Sequence, residues 1–141
     1  MKNYALRLSL CTLLIAAAIM LACGTSLPRI TESVTVSPPT ADAINFPNGQ
    51  VQFTATAAYS RPPSPVQNVQ AAWGVCFQGT FTSDVTVSAT GTAQCAAGAS
   101  GTYVVWANVP TGMPHQVCTA VFDPCGGNAC QVVGVAQLTC P

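Results

Sequence analysis

Gly49-Gln50-Val51-Gln52-Phe53-Thr54-Ala55-Thr56-Ala57-Ala58-Tyr59 decides the fold, because its apolar side chains recur at every second position. Val51, Phe53, Ala55, Ala57 and Tyr59 alternate with Gln52, Thr54, Thr56 and Ala58. Successive side chains of an extended chain point to opposite faces, so a period of two describes a strand with one buried and one solvated face. Val34 and Val36 alternate with Ser33, Thr35 and Ser37 in the same way, and Val85, Val87 and Ala89 do so against Thr86, Ser88 and Thr90. Trp73 and Val75 make a short strand. Thr102 to Val109 is apolar on both faces around Tyr103, Val105 and Ala107, as a central strand is. Two more strands are expected, Val117 to Phe122 and Gln131 to Thr139.

Turn chemistry separates these runs: Pro38-Pro39, Pro47-Asn48-Gly49, Arg61-Pro62-Pro63-Ser64-Pro65, Thr90-Gly91, Gly98 to Gly101, Pro110-Thr111-Gly112 and Gly126-Gly127-Asn128. Short strands punctuated at this spacing predict an all-β, antiparallel immunoglobulin-like β-sandwich of about seven short strands.

The first residues are organised differently. Lys2 and Arg7 precede an uncharged run from Leu8 to Ala22, the pattern of a helical signal peptide with a positive start and an apolar middle. A membrane span needs about 20 apolar residues, and polar Gly24, Thr25 and Ser26 follow with no basic cluster, so cleavage is expected. Met20-Leu21-Ala22-Cys23 resembles the lipobox of bacterial lipoproteins, with methionine where that family most often has leucine. The resemblance implies a signal peptide over 1–22, lipidation of Cys23, a tether over 23–29, and a domain over 30–141 that meets the membrane through its N-terminal lipid. Gly24 is not the aspartate that resembles an inner-membrane retention signal in enterobacterial lipoproteins. The outer membrane is the expected location if the source has two membranes.

Residues 23–141 suffice for one domain. Four acids (Glu32, Asp42, Asp84, Asp123) stand against two bases (Arg29, Arg61), a side-chain balance of −2. With no basic patch to meet a phosphate backbone, nucleic acid is excluded as a partner.

Cys11 leaves with the signal and Cys23 carries lipid, which leaves Cys76, Cys95, Cys118, Cys125, Cys130 and Cys140. An even count in an exported domain predicts a disulfide framework. If a hairpin folds about Gly127 and Asn128, Cys125 and Cys130 face each other with Cβ atoms roughly 4.5–5.5 Å apart, near the distance of about 3.5–4.5 Å that a bridge needs. Cys125 to Cys130 is the expected pair. Cys76 to Cys95 is favoured next, as neighbours in sequence. The same hairpin sets Cys118 opposite Gln137, so a Cys118 to Cys140 bridge would need a bulge or another turn. The rival reading is zinc on His115, Cys118, Cys125 and Cys130; the spacing fits no recognised finger, and exported thiols tend to oxidise first, so no metal and no cofactor are expected.

Val34-Thr35-Val36-Ser37-Pro38, Gly49 to Tyr59, Trp73, Val85-Thr86-Val87-Ser88 with Gly91, Ala97-Gly98, and Gly101-Thr102-Tyr103-Val104-Val105 together resemble group 2 bacterial immunoglobulin-like domains, the kind carried by intimin- and invasin-type adhesins. The similarity covers roughly residues 30 to 109, with a last strand near Val132 to Thr139. It implies a sandwich used as a stalk, spacer or adhesion module, with no catalytic residues to carry over. Six cysteines, a proline-rich loop after Tyr59 and an insertion from Val109 to Asn128 depart from the family's pattern.

Catalysis finds little support. General acid–base work needs titratable groups converging in a cleft, whereas the carboxylates are scattered along the chain, His115 is the one histidine, and no Gly-x-Ser-x-Gly occurs. Trp73 reads as a core residue between the sheets. Trp106 alternates out of phase with Tyr103 and Val105, so it points outward, either as a contact residue or covered by the 109–128 insertion; cover is favoured. The expected function is a lipid-anchored cell-envelope protein with a binding, adhesion or spacer domain, no catalytic activity, and a protein or glycan partner. A passive structural or envelope-assembly lipoprotein is one alternative. A Cys-rich metal or thiol-redox protein is another.

Overall fold

The computed structural model describes residues 28–112, Cys125 and 131–141. Strand segments among them are β1 Thr31–Ser37, β2 Thr40–Asp42, β3 Gln50–Gln52, β4 Thr54–Tyr59, β5 Val66–Gln67, β6 Ala72–Phe77, β7 Thr80–Phe81, β8 Val85–Val87, β9 Thr92–Cys95, β10 Gly101–Pro110 and β11 Gln131–Cys140. One layer is a five-stranded sheet in the order β2-β11-β10-β6-β7. The other is made of β1-β4-β5 and β3-β9-β8. These two pieces share one long strand, because β3 and β4 are separated only by Phe53, whose N–H donates to the Gly91 carbonyl at 2.9 Å.

Every pairing is antiparallel except β2 with β11, which is parallel (Thr40 opposite Gln137, Asp42 opposite Thr139). The exception follows from Pro38-Pro39. Proline has no N–H to give to a ladder, so the chain leaves β4 after Ser37, crosses to the other layer, and continues as β2 beside β11. Two layers closed in this way form an all-β sandwich. Eleven segments, rather than seven, compose it among the described residues.

The inner faces carry the alternation seen in the sequence. Val51, Phe53, Ala55 and Ala57 from one layer meet Tyr103, Val105, Ala107, Ala136 and Leu138 from the other, all at most 2 % exposed. Gly134 faces inward where β1 crosses β11 most closely: a Cβ there would sit 2.7 Å from the Val34 carbonyl oxygen. Only glycine admits that approach.

Among the described residues two bridges staple the sandwich, and neither is an expected one. Cys95 is bonded to Cys140 and Cys76 to Cys125. The pairing of Cys125 with Cys130 is corrected, because Cys125 is bonded to Cys76 on the outer face of the five-stranded sheet, where β11 runs against β10 over ten residues, from Gly101 opposite Cys140 to Pro110 opposite Gln131. Cys76 with Cys95 is corrected for a reason of facing. Cys76 lies opposite Val104 on the outer face of its sheet, whereas Cys95 follows inward Ala93 by two. Cys118, Cys130, His115 and the strand expected over 117–122 lie outside the described residues.

The bridges close loops with sequence separations of 45 and 49. Chain-entropy reasoning gives each about 4 kcal/mol. The Cys95→Ala/Cys140→Ala variant should therefore lose about 4 kcal/mol of unfolding free energy in urea denaturation. Non-reducing peptide mapping should recover Cys76 linked to Cys125; a Cys125–Cys130 peptide would contradict the structure.

Candidate functional site

The sandwich has two unlike ends. At the first, where the chain enters, Thr31 is 5 % exposed; its N–H donates to the Thr111 carbonyl at 2.9 Å and its hydroxyl to the Pro110 carbonyl at 2.8 Å. Ile30 and Ser60 are joined in both directions, by Ser60 N–H to the Ile30 carbonyl and Ile30 N–H to the Ser60 hydroxyl. Arg29, assigned to the tether by sequence, is packed onto the domain: its guanidinium lies 3.7 Å from the centroid of the Tyr59 ring, and it donates to the carbonyls of Arg61 and Pro63. A planar cation over an aromatic face is a favourable electrostatic contact, so the proline-rich loop is held by the residue that leads out of the fold.

At the opposite end is an apolar cleft. One wall is two 3-10 turns, Ala43–Asn45 and Pro47–Gly49. The Asp42 carboxylate caps the first by accepting from the Ile44 N–H at 3.2 Å, while Ala43 plugs into the core at 1 % exposure. Ile44 and Phe46 are thereby turned outward, 71 % and 37 % exposed. The other wall is the turn after β9, closed by the Ala99 N–H on the Ala96 carbonyl at 3.1 Å. Cys95–Cys140 ties that wall to the end of β11. The cleft encloses about 580 Å³, and its lining carries no acidic, basic or histidine side chain. It is separated from the entry end by the length of β10, roughly 30 Å at about 3.3 Å per residue.

Between the ends, the outer face of the five-stranded sheet carries the residue the sequence singled out. Trp106 is 5 % exposed. Its ring lies over Gly74, the residue opposite it on β6, where a Cβ would sit 2.6 Å from Cε2. Phe81 packs against it edge-on, with ring centroids 6.0 Å apart. Two residues along the same face, Cys76 holds Cys125, a residue of the 109–128 insertion, against the sheet. Trp106 is thus covered, and Phe81 is a part of the cover that the sequence reading did not name. Phe81 itself stays 62 % exposed, and Val104 and Val135 are exposed on the same outer face. Trp73 faces inward as expected, at the rim and partly buried against the core.

Tyr103 reaches the cleft end from inside. Its hydroxyl meets the Ser100 carbonyl at 3.3 Å and the Asp84 carboxylate at 3.5 Å, and its ring packs on Phe77 with centroids 4.9 Å apart. Burial pushes its ionisation above the ordinary 10.0, and the Asp84 charge and the hydrogen bond to it add to the rise. The folded form therefore holds this proton more tightly than the unfolded chain does.

Cys76, Cys95, Cys125 and Cys140 of the sequence-nominated residues are brought together in two pairs, one within the sandwich and one on its outer face. Cys23 lies outside the described residues. Among the described residues, no three His, Cys, Asp or Glu side chains gather as metal ligands. The cleft was missed by the sequence reading; its signal was Ile44 and Phe46 between Asp42 and Asn48-Gly49, apolar residues in a turn with no strand period. Comparison with known proteins finds no matching family model and no matching curated protein.

Gly74→Ala should force the Trp106 ring to move and cost about 1–3 kcal/mol, read by urea denaturation together with a red shift of tryptophan emission. With the Tyr103 proton held more tightly in the folded state, unfolding free energy should fall as pH rises through 10. Tyr103→Phe should flatten that alkaline slope; an unchanged slope would contradict the assignment.

Proposed function

We propose that this chain is a lipid-anchored cell-envelope protein, cut before Cys23, whose domain resembles group 2 bacterial immunoglobulin-like modules and serves in binding, adhesion or spacing without catalysis. The observation that carries the reading is the polarity of the sandwich. The chain leaves the fold beside Arg29 and Thr31, and the exposed apolar cleft lies at the other end, on the far side of β10. An anchor at Cys23 then points the cleft, and with it Ile44 and Phe46, away from the membrane toward a protein or glycan partner. A cleft without titratable side chains suits contact better than proton transfer. The paired cysteines fit an oxidising compartment such as the envelope.

A thiol or metal function built on Cys118, Cys125, Cys130 and Cys140 is less well supported, because Cys125 and Cys140 are each bonded to a cysteine outside that group. A passive spacer uses the same anchor and the same sandwich, and differs only in leaving the cleft empty.

Labelled palmitate should appear on the wild-type protein and not on Cys23→Ser, and globomycin should cause the uncleaved form to accumulate. Label retained by Cys23→Ser, or absent from wild type, would overturn the anchor.

A further inference from the structure

Charge is unevenly placed on this sandwich. Among the described residues, both arginines, Arg29 and Arg61, sit at the end where the chain enters, whereas Asp42 and Asp84 sit at the cleft end. The two arginines are also set side by side. Arg29 is exposed and immobilised on Tyr59, with Nε donating to the Arg61 carbonyl at 3.2 Å. Arg61 contributes that carbonyl alone to the clamp, and its guanidinium has no partner among the described residues. From Cys23 to Pro28 the chain can span at most roughly 20 Å, at about 3.6 Å per residue.

We propose that this entry end is a docking surface for anionic phospholipid headgroups, with Arg61 and the free edge of Arg29 taking the phosphate. The proposal rests on the lipid-anchor reading, since that anchor is what brings the lipid within reach. Guanidinium suits a phosphate diester because its planar N–H groups match two phosphate oxygens at once. Glu32, the one described acid at this end, offsets part of the field, so the net attraction is that of a single basic charge. Near an anionic surface such a charge is worth roughly fivefold in population. A bias of that size would not hold a free protein on a membrane, but it is enough to set the orientation of one already tethered there. Docking by this end stands the sandwich upright and keeps the apolar cleft facing outward.

Hydrogen exchange of the protein purified from cell membranes, with its acylation read by intact mass, tests this on vesicles of phosphatidylcholine alone and on vesicles that also contain phosphatidylglycerol. Amides of residues 59–66 should exchange several-fold more slowly on the anionic vesicles, and those of the 96–99 turn should not change. Arg61→Gln, which removes no contact in the fold, and high salt should each abolish the difference. Equal exchange on both vesicles, with the protein bound to both, would overturn the docking surface and leave the anchor standing. Protein that floats with neither vesicle and carries no acyl chain would overturn the anchor and the docking surface together.

Discussion

The ladder between β10 and β11 is the constraint on which the rest of the molecule depends. Ten residues of each strand pair without a break, and these two strands carry material on both faces. Inward, Tyr103, Val105, Ala107, Ala136 and Leu138 supply one half of the core. Outward, the same ladder supports Trp106 and the surface around it. Because side chains alternate strictly, a slip of one residue would exchange these two sets. The register therefore fixes which layer meets β4, which residue lies under the indole, and where Cys140 ends up relative to Cys95.

Much of the fold could be read from alternation, and its failures have physical causes. Val51 to Tyr59 forms the strand its period announces, and Tyr103 to Val109 the central one. β2, β5, β7 and β9 escaped because two to four residues cannot display a period. β7 had another signal: Gln78 and Gly79, both at positive φ, make the tight turn that favours a hairpin between Phe77 and Thr80. The cysteine pairs were misread by weighing distance along the chain above facing. Cys76 directly follows inward Val75 and so points outward, while Cys95 and Cys140 share the parity of Ala93 and Leu138 and so point inward together. Strand parity separates the two bridges, and the sequence contains it. What no parity rule supplies is the partner of Cys76, since Cys125 lies in a turn and on no strand.

The two bridges do different work. Cys95–Cys140 joins the layers beside the cleft and makes the two walls parts of one rigid end. Cys76–Cys125 lies on the solvent side of the five-stranded sheet and ties the connection between β10 and β11 to the strand that carries Gly74. The entry end is held by hydrogen bonds and an arginine on a tyrosine ring instead of by covalent bonds. The proposed anchored module would use this distribution: a fixed exit for its tether and a stiff far end.

The most direct test of the account is the strand pairing of β11, followed by cross-strand nuclear Overhauser contacts in the labelled domain. The structure predicts contacts linking Trp106 with Val135, Val104 with Gln137, and Thr102 with Thr139. Contacts that instead tie residues 131–139 to residues 117–122, as a hairpin about Gly127 requires, would contradict it.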